Sequence, residues 1–170
     1  NTAYAQEAMR AEVGKIVQQA NELFRAKKYR DALGKLQEAD RVGNKTVNET
    51  FTIERMRLSV ASAAGDNDAV IRSAEVIVAA NKLPAKEQLQ LIQVLANSYF
   101  KANSFAKAAK MYERYFSEGG TDGSARQYMI QAKSMSGDNA GALKETRAEI
   151  QAAEKAGRVK KNTGLTCLTA

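Results

Sequence analysis

Apolar side chains recur every three or four positions along most of this 170-residue chain, which is the spacing of one face of an α-helix. The first such stretch covers about residues 6–27, and further stretches with the same spacing follow to about residue 156. No stretch alternates apolar and polar residues over a useful length, so strands are not expected. The pattern predicts an all-α fold of about eight helices.

Residues that favour turns and helix ends divide these stretches. Thr46 and Glu49 have the spacing of a capping box, which predicts the start of the third helix. Gly43 is expected to end the second helix in a left-handed conformation. Gly65 is expected to break the third helix, and Pro84 suits the first turn of the fifth. The turns therefore group the helices in pairs.

A short pattern opens every second predicted helix. An aromatic residue or Asn is followed three positions later by a small or β-branched residue, and the four copies begin at Tyr29, Asn67, Phe105 and Asn139. The steps between these copies are 38, 38 and 34 residues. A period in this range is typical of a solenoid, in which each helix pair stacks on its neighbours. Because solenoids commonly present extended binding surfaces, the period predicts a binding protein without identifying its partner.

The composition limits which catalytic, metal-binding and membrane functions are expected. The chain is 44% hydrophobic and 26% charged, with one proline, so it is long and apolar enough for one helical domain with a core. No apolar run approaches the roughly 18 residues of a membrane helix, and no membrane span is expected. The absence of histidine and the single Cys167 argue against imidazole catalysis, a multi-thiol zinc site and an internal disulfide framework. No cofactor or metal is predicted.

The positive charge has two components. The net charge is +7 and the sequence pI is about 9.5. Residues 157–170 contain basic but no acidic side chains, whereas basic and acidic residues are interleaved elsewhere. A groove for single-stranded nucleic acid needs aromatic side chains along a basic stripe. Only Phe24 with Arg25 and Phe100 with Lys101 offer that combination, so the sequence disfavours nucleic acid as the ligand.

The chain ends suggest a processed protein. Ala3 and Ala5, followed by Gln6, have the small-x-small pattern of a signal-peptidase site, although a cloning remnant or an ordinary helix start would look the same. We therefore treat residues 1–10 as a leader remnant or helix start. The domain organisation that we predict is a repeat domain over residues 11–156, then a basic linker and the start of a further repeat or cap over 157–170. The four repeats are expected near 13–44, 47–82, 85–120 and 123–156.

The positions of aromatic, small and Ala residues resemble those of tetratricopeptide repeat (TPR) proteins over nearly all of residues 11–156. The clearest copy comprises Ile92, Leu95, Ala96, Tyr99, Phe105, Ala108, Tyr112 and Tyr115. The resemblance implies a right-handed superhelical solenoid of about four helix-turn-helix repeats. Two copies are degenerate, because Glu54, Arg57 and Lys133 occupy positions where the pattern has apolar side chains.

Three segments carry a narrower resemblance. Residues 50–56, 87–92 and 149–157 are similar to exported TPR proteins of Gram-negative bacteria. This resemblance implies a periplasmic or otherwise exported protein, with a cytoplasmic location as the alternative.

The TPR resemblance implies that the first helix of each pair lines a concave groove. Asn21, Phe24 and Arg25 recur 76 residues later, two full periods, as Asn97, Phe100 and Lys101. An Asn amide can both donate to and accept from the backbone of a bound peptide, Phe supplies apolar contact, and a basic side chain can pair with a carboxylate. Equivalent positions on the intervening helices add Arg55, Gln93, Gln127 and Gln131. Alternatively, the Phe rings belong to the core and the polar side chains are only solvated.

Other functions are less well supported by the sequence. Chaperone-binding TPR proteins hold an acidic carboxy terminus with a polar clamp, of which this chain keeps Asn21, while Val17, Met56, Gln90 and Val94 occupy the other clamp positions. Scattered helical carboxylates have no His, Cys or metal-ligand partner near them in sequence, so an enzyme is not expected. The sequence thus predicts a scaffold that binds a protein or peptide of unknown identity. The competing hypothesis is a cytoplasmic regulatory module or a nucleic-acid-associated basic protein, and the oligomeric state is left open.

Overall fold

The computed structural model describes residues 8–157, and over this range the chain forms eight α-helices and no strand. The all-α prediction is therefore confirmed for the described residues. The helices are α1 (Ala11–Arg25), α2 (Tyr29–Asp40), α3 (Val47–Ala64), α4 (Asn67–Ala80), α5 (Ala85–Lys101), α6 (Phe105–Ser117), α7 (Gly123–Met135) and α8 (Asn139–Lys155). The leader remnant or helix start predicted for residues 1–10 and the basic linker and further repeat or cap predicted for residues 157–170 lie outside this range, except for residues 8–10 and 157.

Each helix packs against the next one along the chain, and α1 also contacts α3 while α5 contacts α7. The repeated pattern seen in the sequence marks this arrangement, because Tyr29, Asn67, Phe105 and Asn139 are the first residues of α2, α4, α6 and α8. The odd-numbered helices are therefore the first members of the four pairs. The division into one repeat domain with the boundaries given above stays a prediction.

The helix ends follow local capping chemistry. The Thr46 side chain accepts from the Glu49 backbone and the Glu49 side chain accepts from the Thr46 backbone, so the predicted capping box is confirmed. Gly65 ends α3 with φ +70°, a left-handed conformation that glycine adopts at little cost. After α2, by contrast, the left-handed residue is Asn44 (φ +52°) and not Gly43. This difference arises because α2 already ends at Asp40, and Asn tolerates the left-handed region better than most residues do.

The hydrophobic core is divided along the chain. One cluster joins α1, α2 and α3 around Leu36 and Val60, and a larger one joins α4 to α7 around Ile92 and Tyr112. A small third cluster, which includes Ala61, lies at the junction of α3 and α4. Helix α8 contributes only Ala142 to the buried residues. Packing is thus mainly between neighbours, as expected when helix pairs are stacked in a row.

A buried carboxylate ties the start of the described chain to α3. The Glu49 side chain accepts hydrogen bonds from the backbone and guanidinium of Arg10, the latter at 3.0 to 3.2 Å, and from the Thr46 backbone at 2.9 Å. These donors, the Arg10 guanidinium first, lower the pKa of Glu49 to about 2. Arg10 also donates to the carbonyls of Gly43 and Asn44. The turn before α3 and the residue before α1 are therefore held by one charged pair.

We expect Ala108→Leu to destabilise the protein by about 1–3 kcal/mol, because Ala108 is fully buried and a larger side chain overpacks the interface. Ala106→Leu, at an exposed position of the same helix, should change stability by no more than about 0.5 kcal/mol. Urea titrations of the two variants measure the difference. Equal losses at both positions would contradict the packing described for α6.

Acid should weaken the contribution of Glu49. Since folding lowers its pKa from the ordinary 4.5 to about 2, its stabilising effect is present above pH 4.5 and is lost as the pH falls toward 2. The wild type should therefore exceed Glu49→Gln in stability near neutral pH, and the gap should close in this acid range. Denaturant titrations at several pH values measure the gap. Glu118→Gln, which alters an exposed ion pair with Arg114, is the control and should show a small gap throughout.

Candidate functional site: the cleft between α3 and α5

The row of odd-numbered helices opens at one point. No Cα atom of α3 lies within 8 Å of a Cα atom of α5, although α1 contacts α3 and α5 contacts α7. The space between α3 and α5 is an open cleft of about 260 Å³. Its lining consists of Arg55, Leu58, Ser59, Ile77, Leu83, Glu87, Gln90, Leu91 and Val94. We call this space the α3/α5 cleft.

The α3/α5 cleft combines an apolar interior with a polar edge. Ile77 of α4 is 1% exposed and Leu91 of α5 is 7% exposed, so the interior is well packed from behind. Val94 remains 42% exposed on the α5 side, where a ligand could reach it. An apolar concavity with a few polar groups at its edge is the usual form of a binding site for small groups or side chains.

The turn between α4 and α5 explains why the cleft forms here. Asn81 ends α4 in a left-handed conformation (φ +50°), and Pro84 precedes α5 with φ −51°. The side-chain Nε2 of Gln88 then donates to the Val78 carbonyl at 3.0 Å, in the last turn of α4. The first turns of α5 are therefore fixed to α4. Because α5 does not approach α3, the gap between the two odd helices stays open.

One exposed ion pair crosses the mouth of the cleft. The guanidinium of Arg55 lies 3.7 Å from the carboxylate of Glu87, and their side chains are 56% and 51% exposed. Arg55 also lies over the Phe51 ring, 5.8 Å from its centroid. Exposed pairs of this kind contribute little stability, about 0–1 kcal/mol. A ligand that offers its own charge can therefore displace one partner at small cost.

Farther along α5, two amides that the sequence assigns to a groove already have partners within the protein. Gln93 donates to the carboxylate of Asp122 at 2.6 Å, and donors from Ser124, followed by Gln93, lower the pKa of Asp122. The oxygen of the Asn97 side chain accepts from the Tyr112 hydroxyl at 2.5 Å. These bonds connect α5 to α6 and to the residue that caps α7.

The two phenylalanines of the repeated set join consecutive helices. The Phe24 ring lies 5.7 Å from the Tyr29 ring, and the Phe100 ring lies 5.3 Å from the Phe105 ring. Phe100 also contacts Tyr128 of α7, with 5.1 Å between ring centroids. Both phenylalanines are half-buried and pack against the hydrophobic clusters. In the first and third repeats the ring thus packs against the first residue of the following helix.

Four of the remaining residues assigned to the groove have side chains without a polar partner in the described part of the chain. Asn21 is half-buried, while Arg25, Lys101 and Gln131 are exposed, and none of their side chains has a polar partner among residues 8–157. Gln127 donates to Glu149 of α8 at 2.6 Å. All ten residues assigned from the sequence lie on odd-numbered helices. Their joint role as a binding groove stays a prediction.

Sequence reasoning missed the apolar interior of the cleft. No site was predicted at Leu58, Leu83 or Leu91, because an apolar residue in a helical pattern is expected to lie in the core until its neighbours are known. A local signal was present in the segment between α4 and α5, where Leu83 stands between two residues that end and restart helices, Asn81 and Pro84. That segment marks the turn between α4 and α5, whereas the distance between α3 and α5 follows from packing.

Open spaces other than the cleft occur in the described residues, including one of about 580 Å³ between α7 and α8. Within residues 8–157, no group of three or more His, Cys, Asp or Glu side chains is placed to hold a metal ion. None of the helices in this range has the length and apolar character needed to cross a membrane.

The fold has a counterpart among solved structures. It is similar to the crystal structure of MamA protein, a TPR-type protein, with a TM-score of 0.52 and 17% sequence identity over 87% of this chain and 76% of that chain. Together with the eight helices, this likeness shows a TPR-like fold. No protein-family model matches the sequence, and no curated protein matches it.

The two equivalent asparagines should differ in their effect on stability. Asn97→Ala leaves the largely buried Tyr112 hydroxyl without its acceptor, which should cost about 1–3 kcal/mol. Asn21→Ala removes no hydrogen bond within the described residues and should change stability by no more than about 0.5 kcal/mol. Thermal and urea unfolding of both variants measure this difference. Indistinguishable losses would mean that the Tyr112 bond does not stabilise the protein.

Proposed function

We propose that this protein is a non-catalytic scaffold that binds an extended segment of a partner protein. In this proposal the helix pairs form a right-handed superhelical solenoid of about four TPR-like repeats, and the odd-numbered helices line its concave face. The main observation that supports the proposal is the α3/α5 cleft. This cleft separates two odd-numbered helices and has an apolar interior and a polar edge. The TPR-like fold supports a protein as the partner.

The α3/α5 cleft would hold an apolar side chain of the bound segment. Burial of a Leu-sized side chain against Leu58, Ile77 and Leu91 contributes about 1.5–3 kcal/mol. Arg55 and Glu87 flank the entrance, and their weak mutual contact leaves both able to meet charges or backbone groups of the partner. The cleft thus supplies an anchor, and its edge supplies orientation.

Side chains on either side of the cleft would extend the binding surface. Asn21 toward the amino terminus, and Gln131 toward the carboxy terminus, have no polar partner within the described residues and can bond the backbone of an extended segment. Arg25 and Lys101 are exposed and without an ion pair in the same range, so they favour a segment that carries acidic residues. Phe24 and Phe100 would support this surface from below, since their rings are already packed.

We also propose that the protein acts in the periplasm or is otherwise exported. The support is the small-x-small pattern at Ala3 and Ala5 and the resemblance of three segments to exported repeat proteins. The coding sequence upstream of Asn1 tests this directly, because an export signal requires a basic start and an apolar stretch there. An upstream sequence that encodes neither would favour the cytoplasmic alternative.

Two valines provide a matched test of the cleft. Val94 and Val76 are each 42% exposed on a helix, but only Val94 lines the α3/α5 cleft. Val94→Glu places a charge at the apolar entrance, and we expect it to reduce capture of the native partner by about tenfold, equivalent to about 1.4 kcal/mol. Val76→Glu should leave capture unchanged. Pull-downs from native extract with both variants and the wild type, quantified by mass spectrometry, measure the effect.

Two results would count against the proposal. Equal recovery of partners by the Val94→Glu variant and the wild type would remove the cleft from the binding site. Loss of partners with Val76→Glu alone would place binding on the surface formed by α4. Circular dichroism melting curves of both variants confirm that the comparison is made between folded proteins.

A further inference from the structure

Helix α8 exposes an apolar strip that is separate from the α3/α5 cleft. Leu143 and Ile150 are each 50% exposed, and their spacing of seven residues places them on one side of the helix. Among the described helices, α8 packs on α7 alone, and Ala142 is its one buried residue. We call the surface formed by Leu143, Arg147 and Ile150 the α8 strip.

The spacing between repeats identifies the residues of α6 that are equivalent to the α8 strip. The step of 34 residues from Phe105 to Asn139 relates Leu143 to Ala109 of α6 and Ile150 to Phe116. Ala109 is 7% exposed, and the Phe116 ring lies beneath the guanidinium of Arg126 in α7, 4.2 Å from the ring centroid. In the equivalent strip of α6, Phe116 and Glu113 thus contact side chains of the odd-numbered helix that follows it.

A polar contact recurs at the centre of these covered strips. In α4 the carboxylate of Glu75 accepts a hydrogen bond from Tyr99 of α5. In α6 the carboxylate of Glu113 lies 2.8 Å from the ammonium of Lys133 in α7. The two acids are equivalent by the 38-residue step, and Tyr99 and Lys133 are both six residues before the repeated pattern. In α4 and α6 the even-numbered helix thus presents an acid and the next odd-numbered helix supplies the donor, whereas the equivalent residue of α2 is Gln37.

Helix α8 reverses this charge. The residue equivalent to Glu113 is Arg147, which is exposed and has no ion pair among residues 8–157. A helix that covers the α8 strip in the same register as α7 covers α6 would therefore need an acceptor opposite Arg147. A carboxylate fits this position best, because guanidinium–carboxylate bonds are charge-assisted and often bidentate.

We propose that the α8 strip binds an amphipathic helix of a partner protein, which has apolar residues at i, i+3, i+4 and i+7 and a carboxylate that meets Arg147. The bound helix takes the place that an odd-numbered helix takes in the preceding repeats. Residues 158–170 of this chain contain no Asp or Glu side chain that could meet Arg147. A symmetric pairing of two α8 strips would bring the two Arg147 side chains together, since Arg147 lies near the middle of the strip.

A helix appended to the full chain provides the probe. After Ala170 we would add a copy of residues 121–136, which comprise α7, the two residues before it and the one residue after it. In the probe, the residue that copies Lys133 is replaced by glutamate, and the matched control keeps lysine there. Both extensions share length, apolar residues and linker, so they differ in the charge that meets Arg147. Hydrogen exchange of the α8 amides, followed by mass spectrometry, is the readout.

We expect the glutamate extension to slow exchange in α8 by about tenfold and the lysine extension to have a much smaller effect. Combining each extension with Arg147→Glu should reverse this preference. Leu143→Asp together with Ile150→Asp should abolish protection by either extension. Protection that is absent with both extensions, or that does not depend on their charge, would overturn the proposal.

Two measurements on the full chain without an extension test the other occupants. If Leu165→Asp with Leu168→Asp increases exchange in α8, the strip is covered by residues 158–170 and the proposal is wrong. If sedimentation shows a dimer that Leu143→Asp with Ile150→Asp converts to a monomer, a second copy covers the strip and the proposal is also wrong. A monomer whose α8 amides exchange rapidly in both backgrounds supports the proposal.

Discussion

Close contact between helices at alanine side chains is the constraint on which the rest of this structure depends. Ala20 and Ala32 in the first pair, and Ala96 and Ala108 in the third, are all fully buried. A side chain of one methyl group lets two helix backbones approach, and the larger Leu36 and Tyr112 then fill the space beside the contact. Because these alanines lie on the two helices of one pair, the first and third pairs are built locally and then stacked. That stacking sets the positions of the odd-numbered helices.

Where the repeat loses its apolar residues, charged groups hold the helices instead. Arg57 of α3 bonds to Asp40 of α2 at 2.5 Å and lies 3.7 Å from Glu54. Lys133 of α7 lies 2.8 Å from Glu113 of α6 and 3.3 Å from Glu145 of α8. Burial lowers the pKa of Lys133, but the two carboxylates outweigh burial and raise it above its ordinary value. A largely buried cation is tolerated here because it is paired on both sides.

The two candidate surfaces have a common physical origin. The α3/α5 cleft exists where two odd-numbered helices fail to meet, and the α8 strip exists where no described helix follows the last pair. In a protein whose helices contact mainly their neighbours, each missing neighbour leaves apolar surface that such a neighbour would cover. Leu58 and Leu91 in the cleft, like Leu143 and Ile150 in the strip, are apolar because the repeat pattern makes those positions apolar. What distinguishes Leu143 and Ile150 from core residues is that no described helix covers them, whereas Leu91 is 7% exposed.

The sequence by itself determined the helical fold, the pairing of helices and several of their ends, because these depend on interactions between residues close in the chain. The capping box of Thr46 and Glu49, the left-handed Gly65 and the repeated pattern at Tyr29, Asn67, Phe105 and Asn139 are all of this kind. The odd-numbered helices that carry Asn21 and Asn97 could also be predicted, since repeat spacing identifies equivalent positions.

Only the tertiary structure decided how equivalent residues are used. Asn97 accepts from Tyr112 and Gln93 donates to Asp122, whereas Asn21 has no polar partner within residues 8–157. Repeat spacing places Asn21 and Asn97 alike, but a hydrogen bond depends on atoms from another helix that only packing brings near. For the same reason, the α3/α5 cleft could not be predicted from the sequence. A gap between helices is a relation between α3 and α5, which are separated in the chain by α4, and no local pattern of either helix encodes it.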